Sequence, residues 1–143
     1  MIEQIAYALI ATTGFAVMFN IRRIKDIIFA SLGGALSWGM YLWMYSLTDS
    51  KIFGFFIASV AIGIYAEIFA IVLKRPATVF IVSAIIPLVP GGGMYYTMME
   101  SIRGNIDGAL SFGFETVSIA GAIAAGIAIA SSLIRLVSKN RQG

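Results

Sequence analysis

Two carboxylates stand inside otherwise uncharged apolar stretches of this sequence: Glu67, within residues 52–73, and Glu115, within residues 108–134. An ionisable group at membrane depth is costly unless it lines a pathway or meets a partner, so each is a candidate to load a proton, a cation or an ammonium group. At a helical rise of about 1.5 Å per residue, Glu67 lies about 9 Å from the C-terminal end of its stretch and Glu115 about 10 Å from the N-terminal end of its own. A plainer role stays open for both. Glu67 could pair with Arg22, Arg23 or Lys74, and Glu115 could reach Arg103 or the membrane interface, since charges near a helix end can extend to water.

A second chemical feature is an interruption. Residues 77–99 are uncharged but carry Pro87-Leu88-Val89-Pro90-Gly91-Gly92-Gly93 in their middle. Each proline removes a backbone donor, and three consecutive glycines weaken the helix that follows. Carbonyls before the break, and N–H groups at the start of a second half-helix near Gly93 to Tyr95, are groups that lipid cannot satisfy. A half-helix N-terminus offers unpaired donors and partial positive charge, which suits a carboxylate. Tyr95 and Tyr96 stand beside it with hydroxyls to donate. The alternative is a proline kink packed against its neighbours around one buried water.

Little else here could do chemistry. The chain has no cysteine and no histidine, hence no disulfide, no thiolate or imidazole metal site and no Cys/His nucleophile pair. Two separated carboxylates make a poor catalytic set, so the reading is a protein that is not an enzyme and has no cofactor or metal.

The elements that must position these residues follow from composition. Of 143 residues 59% are hydrophobic and 12% charged, and the mean hydropathy is +0.92, more apolar surface than a soluble domain of this size could hide. The net charge of +3 and pI near 9.4 come from short basic clusters between apolar runs, the pattern of membrane-flanking charge and not of a nucleic-acid-binding face. Spanning a bilayer takes about 20 helical residues, and the apolar runs give about five transmembrane helices in a single all-α membrane domain, 5–21, 27–47, 52–73, 77–99 and 108–134, with the fourth interrupted at Pro87–Gly93. Glu3 precedes the first run and no base precedes Arg22, so that run reads as a retained helix and not a cleaved signal.

Arg22, Arg23, Lys25, Lys74, Arg75, Arg135, Lys139 and Arg141 fall on one side of such a bundle and only Lys51 and Arg103 on the other. Basic residues accumulate on the cytoplasmic side, which sets the N-terminus outside and the C-terminus inside. Small residues mark the expected helix contacts: Ser118, Ala122, Gly126 and Ala130; Ser59, Gly63 and Ala70, with Glu67 on the same stripe; Ala30, Gly33, Gly34 and Ser37. Five spans cannot divide into two equal inverted halves, the construction of many transporters, so another polypeptide is expected to complete the unit.

Arg75-Pro76, Phe80, the block Ile85-Ile86-Pro87-Leu88-Val89-Pro90-Gly91-Gly92-Gly93 and Tyr95, set in a short multispanning chain, resemble the second half of the threonine/serine exporter family. The specific part of that resemblance lies between Arg75 and Tyr95. It implies export of a small amino acid or dicarboxylate of the threonine, serine or succinate kind, driven by the proton gradient, across the plasma or inner membrane, with a separate membrane subunit supplying the first half. Residue by residue it carries over Pro76, Phe80, Pro87, Pro90, Gly91, Gly92 and Tyr95. Glu67 and Glu115 rest on membrane depth alone. The partners expected are the lipid bilayer, that second subunit, the carboxylate or amino acid substrate, and further copies of the chain in a homo-oligomer. A non-transporting scaffold subunit and a passive channel are the alternatives.

Overall fold

The computed structural model describes residues 2–139; of the basic tail, Arg141 lies outside them, as do the side chains of Arg135 and Lys139. Every regular element among the described residues is a helix: α1 (Ile2–Met18), α2 (Ile24–Thr48), α3 (Lys51–Leu73), α4 (Thr78–Ala84), a 3-10 turn (Ile86–Leu88), α5 (Gly91–Ile102) and α6 (Ile106–Lys139).

Local chemistry sets where the rods stop. Asn20, Asp49 and Lys74 each take left-handed backbone at φ near 55° after α1, α2 and α3, a conformation that ends a helix and that Asn and Asp tolerate best among side-chain-bearing residues. Asn20 thereby halts α1 at Met18, short of the Ile21 end expected from apolarity. Ser50 starts α3 by accepting a hydrogen bond from Phe53 N at 3.4 Å, so Asp49 and Ser50 together make the sharp α2–α3 turn.

The contacts give each rod a direction. Thr13 Oγ1 meets Ser31 Oγ at 2.8 Å, and Ile5 reaches Gly39, so α1 and α2 run antiparallel. Tyr41 lies against Gly54 while Tyr65 donates to the Phe29 carbonyl at 2.8 Å, so α2 and α3 are antiparallel too. Helices α3 and α6 run parallel: Lys51 meets Glu115, Ser59 meets Gly126, and Gly63 meets Ala130. Gly93 against Thr116 and Thr97 against Gly113 make α5 and α6 an antiparallel hairpin. Because α3 and α6 point the same way, residues 74–105 must carry the chain from the Leu73 end of α3 back to its Lys51 end.

Among the described residues three helices, α2, α3 and α6 through Ile134, are long and apolar enough to cross a membrane, and α4 with the segment to Ile102, bent by 41°, counts as a fourth when taken together. Helix α1 is apolar but only 17 residues long.

Two apolar clusters hold the bundle. One joins Phe55, Ala58 and Ile62 of α3 to Ala84, Leu88 and Ile119 and Ile123 of α6; the other gathers Ala16, Ala30, Ala66 and Ala70 around the fully buried Phe80. Small residues allow this closeness, as membrane helices require. A Cβ at Gly126 would collide with Ser59 Oγ and stand 2.8 Å from the Phe56 carbonyl oxygen. The packed face of α6 is Thr116, Ile119, Ile123, Gly126 and Ala130, and not the expected Ser118–Ala122 line. With 3.6 residues per turn, a strict spacing of four drifts by about 40° at each step, and three steps back from Ala130 leave the contact face.

Candidate functional site

The geometry of the site begins with the helix break. Pro87 has no N–H, and Leu88 N turns to the Ile85 carbonyl at 2.8 Å instead of reaching Ala84. The Ala84 carbonyl so released is met by Ser37 Oγ of α2 at 3.1 Å. Val89 is extended, and Pro90 leads into α5 without any side-chain cap. Gly91 N reaches back to the Val89 carbonyl at 2.7 Å, but the N–H groups of Gly92 and Gly93 have no acceptor among the described residues. The Ala84 carbonyl of the break is therefore met by the protein, while the buried Ser83 hydroxyl beside it and, on the donor side, the Gly92 and Gly93 N–H groups have no partner among the described residues.

That donor side faces a cavity of about 370 Å³, within the ~300–1,000 Å³ usual for small-molecule sites. Pro87, Val89, Pro90 and Gly91 to Gly93 form one wall. Trp38 and Tyr41 of α2, Phe55 of α3, and Tyr96 with Phe112 supply aromatic faces. The remaining wall holds Lys51 and Glu115, the only charges among the described residues that line the cavity, whose Nζ and Oε1 are 2.8 Å apart. A larger groove of about 610 Å³ between α5 and α6, lined by Thr97, Ser101, Leu110 and Phe114 among others, contains no charged residue and offers a charged solute no counterion.

The expected site residues separate accordingly. Pro87, Pro90, Gly91, Gly92, Gly93, Tyr96 and Glu115 share one cavity. Tyr95 does not line it; this side chain is exposed and packs edge-on against Tyr96 at 5.4 Å between ring centroids. Gly93 also sets a packing distance, since a Cβ there would collide with Thr116 Oγ1. Phe80 is wholly buried and anchors α4, and Pro76 sits exposed in the α3–α4 turn, where its carbonyl accepts from Val79 N at 3.1 Å.

Of the alternatives open to Glu115, Arg103 is not taken. Arg103 is held by Glu100 at 3.1 Å within its own turn, so Glu115 is left to Lys51. Because Lys51 is the first residue of α3, this places Glu115 within one lysine side chain of the α2–α3 turn. Glu67 is half-buried on α3 and forms an ion pair with none of Arg22, Arg23 and Lys74. The base nearest that end which does pair is Arg75, whose Nε lies 3.4 Å from Asp26 Oδ2; the Asp26 side chain is 9% exposed.

Sequence reasoning missed Lys51, Asp26 and Ser37. Lys51 looks like an ordinary turn charge, Asp26 like one more residue of a basic cluster, and Ser37 like a small packing residue. The available signal for Lys51 was its place as one of two bases on the side of the bundle poor in basic residues, with Arg103 already close to Glu100.

A family model described as Threonine/Serine exporter, ThrE, matches residues 4–133. The chain belongs to the threonine/serine exporter family. No curated protein and no solved structure matches it. Membership in this exporter family, together with the long apolar helices, makes the chain a multi-pass membrane protein of transporter type in contact with the lipid bilayer.

Proposed function

We propose that the chain is one half of a two-component secondary exporter that moves a small amino acid or a dicarboxylate, of the threonine, serine or succinate kind, out across the plasma or inner membrane at the expense of the proton gradient. The observation that carries this reading is the cavity at the helix break, where unpaired N–H groups, an ion pair and aromatic faces converge. The substrate carboxylate is bound along Gly92 and Gly93, with Pro87, Pro90 and Gly91 keeping the helix open and Tyr96 closing the side.

Five spans, N-terminus outside and C-terminus inside, fit the alternating directions of α1, α2, α3, α4 with α5, and α6. In this reading the bent pair α4–α5 is a crossing, since parallel α3 and α6 need one between them. Glu67, toward the cytoplasmic end, loads the proton whose return drives export. Coupling needs only that protonation bias two access states by different affinities. A second membrane subunit is supported by α5, which packs almost wholly against α6 and has no buried residue, leaving its other faces for a partner to cover.

The test is transport into proteoliposomes holding the chain with and without the subunit that completes it, under an imposed pH gradient. Serine, threonine or succinate flux that follows the gradient and needs both subunits is the expected result. Counterflow equal to that of empty vesicles removes the exporter reading. Flux that follows the solute gradient and ignores pH makes the assembly a passive channel.

A further inference from the structure

We infer that Lys51 and Glu115 are the two residues that read the opposite charges of an α-amino acid, holding each other between loads and exchanging partners when a zwitterion enters. One oxygen of the substrate carboxylate, whose other oxygen accepts from the Gly92 and Gly93 N–H groups as above, replaces Glu115 at Lys51 Nζ, and the substrate ammonium replaces Lys51 at the Glu115 carboxylate. This rests on the exporter reading above and adds to it the residues that select the solute.

Four observations carry the assignment. First, the two side chains come from different helices, 64 residues apart, and are the only charges among the described residues on the cavity wall. Second, the pair is not a buried structural one: its side chains are 52% and 39% exposed, and ion pairs of that kind contribute little to stability, so surrendering it for two new ionic contacts costs little. Third, Arg103, the other base toward that end of the bundle, is held by Glu100, so the base that Glu115 meets is Lys51. Fourth, the aromatic faces of Trp38, Tyr41 and Tyr96 line the same space, and an aromatic face attracts an ammonium group.

The arrangement has a chemical preference. An α-amino acid carries its positive and negative groups on one carbon, so it can meet both members of a contacting pair at once. A dicarboxylate satisfies Lys51 but sets its second carboxylate against Glu115, where like charges repel. The cavity therefore favours serine or threonine over succinate.

Matched analogues test this. Flux of labelled serine is measured in proteoliposomes of the assembly that transports, with competition by serine, by 3-hydroxypropanoate, which lacks the ammonium group, and by ethanolamine, which lacks the carboxylate. Glu115→Gln is expected to weaken serine competition about tenfold, ~1.4 kcal/mol, while leaving 3-hydroxypropanoate unchanged. Lys51→Gln is expected to weaken serine similarly and to spare ethanolamine. Each comparison is internal to one variant, so a change in the amount of folded protein cannot imitate it. Uniform weakening of all three competitors, or full recovery of serine affinity in the charge-swapped Lys51→Glu/Glu115→Lys protein, would show a structural clamp and overturn the inference. Succinate competing with the parent protein as well as serine would overturn it too. A parent assembly without serine flux removes the exporter reading and this inference together, whereas parent flux with uniform losses removes the inference alone.

Discussion

Ser37 Oγ of α2 donates to the Ala84 carbonyl at 3.1 Å, the acceptor released where α4 gives way to the 3-10 turn. Ser37 is fully buried, and its single hydroxyl proton is shared with the Gly34 carbonyl at 2.8 Å. Leaving a buried acceptor unpaired costs about 1–3 kcal/mol. Ser37→Ala is expected to lower the unfolding free energy of the purified protein by that amount, measured by denaturant titration in mixed micelles; a loss below about 0.5 kcal/mol would mean that the break does not depend on this bond.

Gly126 allows α3 and α6 to touch. Its replacement by alanine puts a methyl group against Ser59 Oγ and the Phe56 carbonyl oxygen, and the second of these is backbone that cannot rotate away. Overpacking of this sort costs about 1–3 kcal/mol. Gly126→Ala should shift the same unfolding curve, whereas Gly121→Ala, where the added group meets open space, should leave it in place.

Asp26 is a buried carboxylate in the first turn of α2, paired with Arg75 in the α3–α4 turn. The arginine is 31% exposed, which places the pair between surface bridges and fully buried ones, and a loss of about 1–2 kcal/mol is expected for Asp26→Asn. The Asp26→Arg/Arg75→Asp exchange should recover part of that loss if the charge pair, and not the shape of Asp26, is responsible. Melting temperatures of the three proteins decide it.

Glu67 separates drive from passage. Glutamine keeps the size of the side chain and removes its titration, so Glu67→Gln is expected to abolish serine flux driven by a pH gradient while serine counterflow without a gradient stays within about twofold of the parent. A parent-like pH dependence in this variant would return Glu67 to a packing role.

What the sequence made legible was whatever is decided locally. The all-helical membrane class follows from long uncharged apolar runs, and the departure from helix after Ile85 follows from Pro87 and Pro90, whose missing N–H groups act wherever they are placed. The end of α1 was less legible, because Asn20 in left-handed backbone stops the helix before the apolar run ends. Partnerships across helices were not legible at all. Whether Glu115 meets Arg103 or Lys51 depends on the register of two parallel rods, which is set by Gly63 and Gly126 nesting against Ala130 and Ser59. The same register decides that Thr116 and Ile119, and not Ser118, face the bundle. Ser37 shows the limit from another side, since a serine on a small-residue stripe gives no sign that a carbonyl 47 residues away will need it.

The turn between α5 and α6 uses up its own polar groups. Glu100 accepts from Arg103 at 3.1 Å and from Asn105 Nδ2 at 2.7 Å, and the Asn105 side chain in turn accepts from Gly108 N at 3.2 Å. Glu115, the tenth residue of α6, is already level with the first residue of α3, so this knot stands well beyond the α2–α3 turn. Nothing in the cavity is held by it. It is accordingly a place where an epitope or fluorophore can be carried without disturbing the bundle, and a reporter there would reveal which face of the membrane it occupies in an intact cell.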